Sequence, residues 1–158
     1  MAHRMSAEKP TTPKLVARPL LIGERSALAA ALKNAKLPIE DIEAPGRVFW
    51  RFETVEEVPV GFGGLELYAG DALLRSIVAL PPVRRKGFGS AIVAAIEEEA
   101  QMRGCRRLWL ITTSAAEFFD RLGYVRCDRA AVPPAICKTS EFAELCPASA
   151  DVLVKHFA

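Results

Sequence analysis

The stretch 80-LPPVRRKGFGSAI-92 decides how this chain is read. An apolar, strand-like run ends at Pro81 and Pro82, and three cations follow, Arg84, Arg85 and Lys86. Gly87 and Gly89 then bracket Phe88. From Gly87 to Arg103 the apolar spacing becomes helical, with Phe88, Ala91, Ile92, Ala95 and Ile96 on one face. A glycine-rich strand-to-helix turn aims several backbone N–H groups at one spot, and the helix N-terminus adds its positive dipole end. Glycine permits positive φ and leaves room for close backbone approach. The turn therefore reads as a cradle for a pyrophosphate, with the three cations adding charge. A tight turn carrying solvated cations is the other reading. Neither G-x-G-x-x-G nor the G-x-x-x-x-G-K-S/T loop is present.

Outward from this junction the pattern is mixed. Residues 1–13 are polar and rich in Pro and Thr, and read as a disordered tail; 14–158 read as one domain. KLVARP (14–19) reads as a first strand. Leu21, Leu28 and Leu32 mark an amphipathic helix ending near Pro38. IEDIEAPG (39–46) is a short helix or loop. RVFWRFETVEE, VPVGFGGLELYAGD and DALLRSIVALPP read as three strands, the last two joined as a hairpin at Ala69-Gly70-Asp71. Gly61, Gly63 and Gly64 suggest a bulge or a close backbone approach. RRLWLITT (106–113) is apolar enough for a strand buried on both faces. Ser114 and Glu117 have capping-box spacing for a helix ending at Gly123. Two further strands, YVRCDR and ADVLVKHF, flank a proline-broken stretch. The order implies a mixed α/β sheet covered by helices.

Bulk properties narrow the classes. At 158 residues the chain suits one self-sufficient core. Its 21 basic and 19 acidic residues leave +2, which argues against a nucleic-acid-coating surface. No apolar run reaches the roughly 20 residues needed to cross a bilayer. The N-terminus has no apolar signal core, so a cytoplasmic location is expected. Cys105, Cys127, Cys137 and Cys146 form no C-x-x-C pair, and His3 and His156 lie near the ends. No metal site is expected, and the thiols read as packed small apolar groups.

Two segments carry a family resemblance. SIVALPPVRRKGFGSAIV (76–93) resembles the cofactor motif of the GNAT superfamily of acyl-CoA N-acyltransferases, R/Q-x-x-G-x-G/A, at Arg84, Gly87 and Gly89. AAEFFDRLGY (115–124) is similar to the family's second signature at Ala115, Phe118, Gly123 and Tyr124. The resemblance covers residues 14–158, the first third by pattern only. It implies a GNAT fold: a mostly antiparallel sheet of six to seven strands, splayed in the middle, with helices on both faces. It implies acetyl-CoA as cosubstrate, its pyrophosphate on the amides around Arg85, Lys86, Gly87, Phe88, Gly89 and Ser90. Its pantetheine amides would pair with backbone at Ile77, Val78 and Ala79. The thioester would lie where strands 72–80 and 107–113 part. Thr112 stands where the family usually has Asn, and Phe119 where it has a proton-donating Tyr. Both are counted with the coenzyme-binding set.

The chemistry needs a neutral amine, a polarised thioester carbonyl and a proton for the thiolate. A backbone N–H near Val78 is the expected carbonyl donor. Glu66 and Tyr68 share a strand face, and Glu66 is the candidate base; pairing with Arg75 is the alternative. Ser114, Thr113 or water would replace the missing Tyr hydroxyl. An α-amine near pKa 7.7–8.0 is roughly a tenth neutral at pH 7, and a lysine side chain near 10.4 is far below one per cent, which favours a small amino-acid-like acceptor. Arg75, with Glu66 and Tyr68, is the candidate acceptor site, its fork matching a carboxylate. A narrower resemblance, carried by LLRSIVALPP, AAEFFDRLGYVRCDRAAVPPAI and EFAELCPASADVLVK, is to short N-acetylglutamate-synthase-type and arsenic-resistance-operon-associated N-acetyltransferases. It implies a glutamate-like or organoarsenical acceptor and a role in arsenic resistance. A catalytically weak coenzyme-A sensor is the competing class, and a homodimer is one open assembly state.

Overall fold

The computed structural model describes residues 13–37, 39, 41–44, 46–81, 87–139, 142 and 149–157. The expected tail (all but residue 13), Arg84, Arg85, Lys86 and Cys146 lie outside the described residues. Among the described residues, seven strands form one sheet: β1 (Val16–Pro19), β2 (Arg47–Glu53), β3 (Pro59–Tyr68), β4 (Asp71–Ala79), β5 (Arg107–Thr112), β6 (Val125–Cys127) and β7 (Asp151–His156). Their spatial order is β1-β2-β3-β4-β5-β7-β6. Every pairing is antiparallel except β4 with β5. The helices are α1 (Arg25–Asn34), α2 (Phe88–Met102), α3 (Ala116–Arg121) and α4 (Pro134–Cys137).

The strand alternation sorts side chains onto two faces. On one, α2 lays Ala91, Ile92, Val93, Ile96 and Ala100 against Trp50, Phe52, Leu65, Leu74 and Leu108. Each fully buried Ile contributes about 1.5–3 kcal/mol relative to exposure. On the other, Leu28 and Leu32 of α1 meet Phe49, Phe62 and Val78, and Ile136 of α4 meets Leu73, Trp109 and Val152. The expected three-strand meander, helix, strand, helix order is present, with helices on both faces.

Two details differ from the sequence reading and one is sharpened. The first helix stops at Asn34, short of Pro38, because Ala35 closes it with an N–H bond to Ala31 O and Lys36 follows at φ 61. The three β3 glycines mark both: close approach at each, and irregular pairing, with Gly63 inside the register shift against β4 and Gly61 beside the one against β2. A Cβ on Gly61 would strike the Val78 carbonyl oxygen, one on Gly63 Ile96, and one on Gly64 Phe49. In the shift between β3 and β4 the extra residue belongs to β4, as described below. The capping box at Ser114 and Glu117 does not form: the cap position falls at Ala115, whose N–H instead donates to Thr112 Oγ1 at 2.9 Å.

Candidate active site

The parallel pairing of β4 and β5 is short. It covers Asp71 with Arg107, Ala72 with Leu108 and Leu73 with Trp109, although both strands run on. A bulge in β4 accompanies the parting. Phe62 faces Val78, but Gly64 faces Arg75, so β4 fits one residue more than β3 between these pairs. Ser76, at that point, has φ 59, a left-handed conformation that non-glycine residues seldom hold. The gap is a cavity of about 240 Å³. Residues Leu74–Ile77 of β4 and Leu110–Thr112 of β5 form its sides, with Ser114, Ala115 and Phe119 from the α3 region and Ala35 and Leu37 from the end of α1.

The bulge moves the expected carbonyl donor. Leu80 N–H bonds Val60 O at 2.8 Å, and in the same register Val78 faces Phe62. Alternation therefore turns the Val78 N–H toward β3, not toward the gap. The extra residue of a bulge is left out of the ladder, so β3 cannot take up both amides of Ser76 and Ile77. The candidate donor lies there. Ile77, Val78 and Ala79 all lie beyond the last β5 partner, as a coenzyme arm lying along β4 requires.

At the start of α2, Gly87 caps the helix at φ 83 with no side-chain cap. The first helical bond is Ala91 N–H to Gly87 O at 3.4 Å, so the amides of Phe88, Gly89 and Ser90 have no partner within the helix. Ser90 Oγ donates to Gly87 O at 3.1 Å. A Cβ on Gly89 would lie 3.4 Å from the Phe118 ring.

Beside the cavity lies a buried ion network. Arg75, with no exposed side-chain surface, donates to Asp41 Oδ1 and Oδ2 and to Glu66 Oε2, each at 2.7 Å. Arg47 donates to Asp41 Oδ2 at 3.1 Å and lies 3.6 Å from Glu66. Tyr68 donates to Glu66 Oε1 at 2.7 Å. Both sequence candidates need correction here. Glu66 is fully buried, with one oxygen on Arg75 and the other on Tyr68, and it is not among the described cavity-lining residues. It takes the ion-pair alternative, not the place of an accessible base. Arg75 is among the lining residues, but its side chain has no exposed surface and Asp41 fills its fork bidentately. Burial pushes the Asp41 carboxyl up, and the hydrogen bonds and charges of Arg75 and Arg47 more than offset this, leaving it below its ordinary value. Burial, and then the bond to Glu66, push the Tyr68 phenol up to about 12. Sequence reasoning missed Asp41 because its partner is 34 residues away.

On the leaving-group side, Phe119 lines the cavity, edge-on to Phe118 (centroids 5.0 Å) and Tyr124 (5.4 Å). Tyr124 does not substitute for the absent hydroxyl: it is buried and donates to Glu97 Oε2 at 2.8 Å. Thr112 Oγ1 is occupied as acceptor of the Ser114 and Ala115 N–H groups. Ser114 lines the cavity; Thr113 is exposed and not among the lining residues. Burial pushes the Cys105 and Cys127 thiols up, with Asp71 and Asp128 adding to it respectively. That suits packed thiols rather than thiolates. Among the described residues no cluster of three or more His, Cys, Asp or Glu side chains could hold a metal. No described helix is long and apolar enough to cross a membrane.

A sheet parted between two parallel strands, with a glycine-capped helix following the first of them, defines the class. The chain belongs to the acetyltransferase (GNAT) family, whose profile matches residues 22–124. It is 37% identical over 70 residues to the uncharacterized protein YyaT of Bacillus subtilis (strain 168), 44% of this chain and 47% of that one. The chain spans less than half the length of the curated relatives it matches. Among solved structures it resembles N-acetylglutamate synthase from Neisseria gonorrhoeae complexed with coenzyme A and L-arginine. The TM-score is 0.72 at 19% identity, over 92% of this chain and 34% of that one. It also resembles Rv2747 from Mycobacterium tuberculosis in complex with CoA and NLQ, with a TM-score of 0.71 at 19% identity, over 90% of this chain and 99% of that one. At these identities the likeness shows the fold.

Proposed function

We propose that the protein transfers the acetyl group of acetyl-CoA directly to the amine of a small amino-acid-like acceptor. The observation that carries this is the bulge-opened cavity between β4 and β5, along which β4 runs beyond its last β5 partner, Leu73. The pantetheine arm would pair with that backbone, and the pyrophosphate would meet the free amides of the first turn of α2. The acceptor nitrogen attacks the thioester carbon, the carbonyl oxygen takes up charge near the bulge, and the thiolate leaves. Ser114 or water protonates it. With Glu66 enclosed, water takes the ammonium proton, which suits an α-amine better than a lysine side chain.

An amino-acid acceptor also needs a seat for its carboxylate. In this reading it replaces Asp41 on Arg75. Exchanging one carboxylate for another keeps the buried guanidinium paired, whereas leaving it alone is costly. A neutral amine or a polyamine gains nothing there. The resemblance to N-acetylglutamate synthase supports a glutamate-like acceptor; an organoarsenical amino acid belongs on the same panel.

Phe119 favours a second reading, a coenzyme-A-binding sensor with weak catalysis. Thiol release from acetyl-CoA with glutamate, other amino acids, an organoarsenical amino acid, spermidine and a lysine peptide separates them. Stimulation by amino acids over polyamine and peptide supports the first. Coenzyme binding with no stimulation by any amine supports the sensor.

A further inference from the structure

We propose that the Ser76 hydroxyl is a catalytic hydrogen-bond donor to the thioester carbonyl oxygen of the acyl donor. The inference rests on the acetyl-transfer reading and assigns a second donor beside the bulge amide. Ser76 lies at the β4 bulge with φ 59, and strained backbone of this kind persists where the surroundings over-determine it, often at reactive sites. It lines the cavity. Its Oγ accepts the Arg75 Nε–H at 3.2 Å, and that guanidinium is wholly buried with Asp41 and Glu66 on its other nitrogens. A hydroxyl that accepts from a cation is polarised toward donating its own proton. Among the described residues no acceptor takes that proton.

The same strand position therefore offers backbone N–H and side-chain O–H to one developing charge. Charge appears on the carbonyl oxygen as the amine nitrogen bonds to the carbon and the π pair moves onto oxygen. It vanishes when the C=O re-forms and the C–S pair leaves with sulfur. Ser76 gives up no proton in either step; it holds the oxyanion by hydrogen bonding, in a water-poor site where such a bond is strong. The acceptor's proton goes to water, and the thiolate is protonated from Ser114 or water.

The test uses the full chain with carbonyl-¹³C acetyl-CoA and two variants, Ser76→Ala and Ser76→Gly. Glycine accepts φ 59 without strain, so the second variant keeps the bulge. In the parent protein the bound carbonyl stretch is expected below its position in free acetyl-CoA, and both variants should lose part of that shift. With an acceptor amine, kcat should fall about tenfold to a hundredfold. KM for acetyl-CoA should stay within about twofold, and the glycine variant should melt no lower than the parent. A carbonyl band and kcat unchanged in both variants overturn the proposal. So does a kcat loss that follows acetyl-CoA affinity or melting temperature, which would make Ser76 structural. If acetyl-CoA binds but no amine is acetylated, the carbonyl band alone decides. Failure of the acetyl-transfer reading itself looks different: the parent does not bind acetyl-CoA by calorimetry, or binds it and acetylates no amine, in either case before any variant is compared.

Discussion

Removing the Asp41 carboxylate should be among the costliest single changes outside the hydrophobic core. Asp41 accepts three bonds from two cations, at 2.7, 2.7 and 3.1 Å. In Asp41→Ala the guanidiniums of Arg75 and Arg47 lose a shared carboxylate and both lean on Glu66. Breaking a buried pair on one side costs about 3–5 kcal/mol. For a domain of this size each kcal/mol moves Tm by about 2–4 °C, so the variant should melt about 6–20 °C below the parent. Asp41→Asn, which keeps one acceptor oxygen, should lose about half as much. Circular dichroism melts and urea titrations measure both. Formate, acetate or glycine at high concentration should restore part of the loss in the alanine variant, by up to about 2.7 kcal/mol at a hundred times Kd. The pH dependence has a fixed sign. The folded carboxyl lies below its ordinary 3.8, so its contribution is complete above that value and fades as pH falls through the depressed one. An alanine variant melting within about 2 °C of the parent would refute the pairing and, with it, the seat proposed for an acceptor carboxylate.

The two tyrosines give an optical check. Tyr68 is pushed up to about 12 by burial and its bond to Glu66, and burial and the Glu97 charge push Tyr124 higher still. Phenolate absorbance at ~295 nm should therefore stay flat to about pH 11 in the folded protein and titrate near 10 in urea. Their contribution to stability holds below about 10 and is lost as pH rises through the folded values. A folded-state rise near pH 10 would contradict this. Gly61→Ala drives a Cβ into the Val78 carbonyl and should cost about 1–3 kcal/mol in urea titration, since backbone on both strands must move. Gly87→Val should abolish coenzyme A binding by calorimetry while far-UV circular dichroism stays folded. The cap needs φ 83, which a β-branched residue rarely holds, so the substitution displaces the first-turn amides.

Most of the sheet could be read from the chain because its signals are local. Strand alternation, the Ala69–Gly70 turn and the helical face from Phe88 onward each lie within a dozen residues. The active-site details are products of register. Nothing in the letters SIV marks Ser76 as the bulge; it arises because β3 and β4 count differently between two fixed pairs. Arg75 was visible as a charge interrupting an apolar run. Whether its fork meets a ligand or Asp41 depends on a loop far away in sequence. Ser114 and Glu117 had capping-box spacing, yet Thr112, one strand end earlier, supplies the oxygen. Competition between equivalent short polar side chains for one amide is invisible to spacing rules.

The three-rung seam between β4 and β5 has a consequence for amide exchange. The middle of a sheet is ordinarily its slowest-exchanging part, and the margins its fastest. Here two interior strands each carry a row of backbone groups that no neighbouring strand covers. Amides facing the seam at Ser76–Ile77 and beyond Trp109 should exchange like those of an outer margin, although the side chains of Leu110 and Ile111 are buried and those of Ser76 and Ile77 half-buried. A coenzyme lying in the seam would close that row, so its occupancy could be followed as deuterium retention in the centre of the molecule.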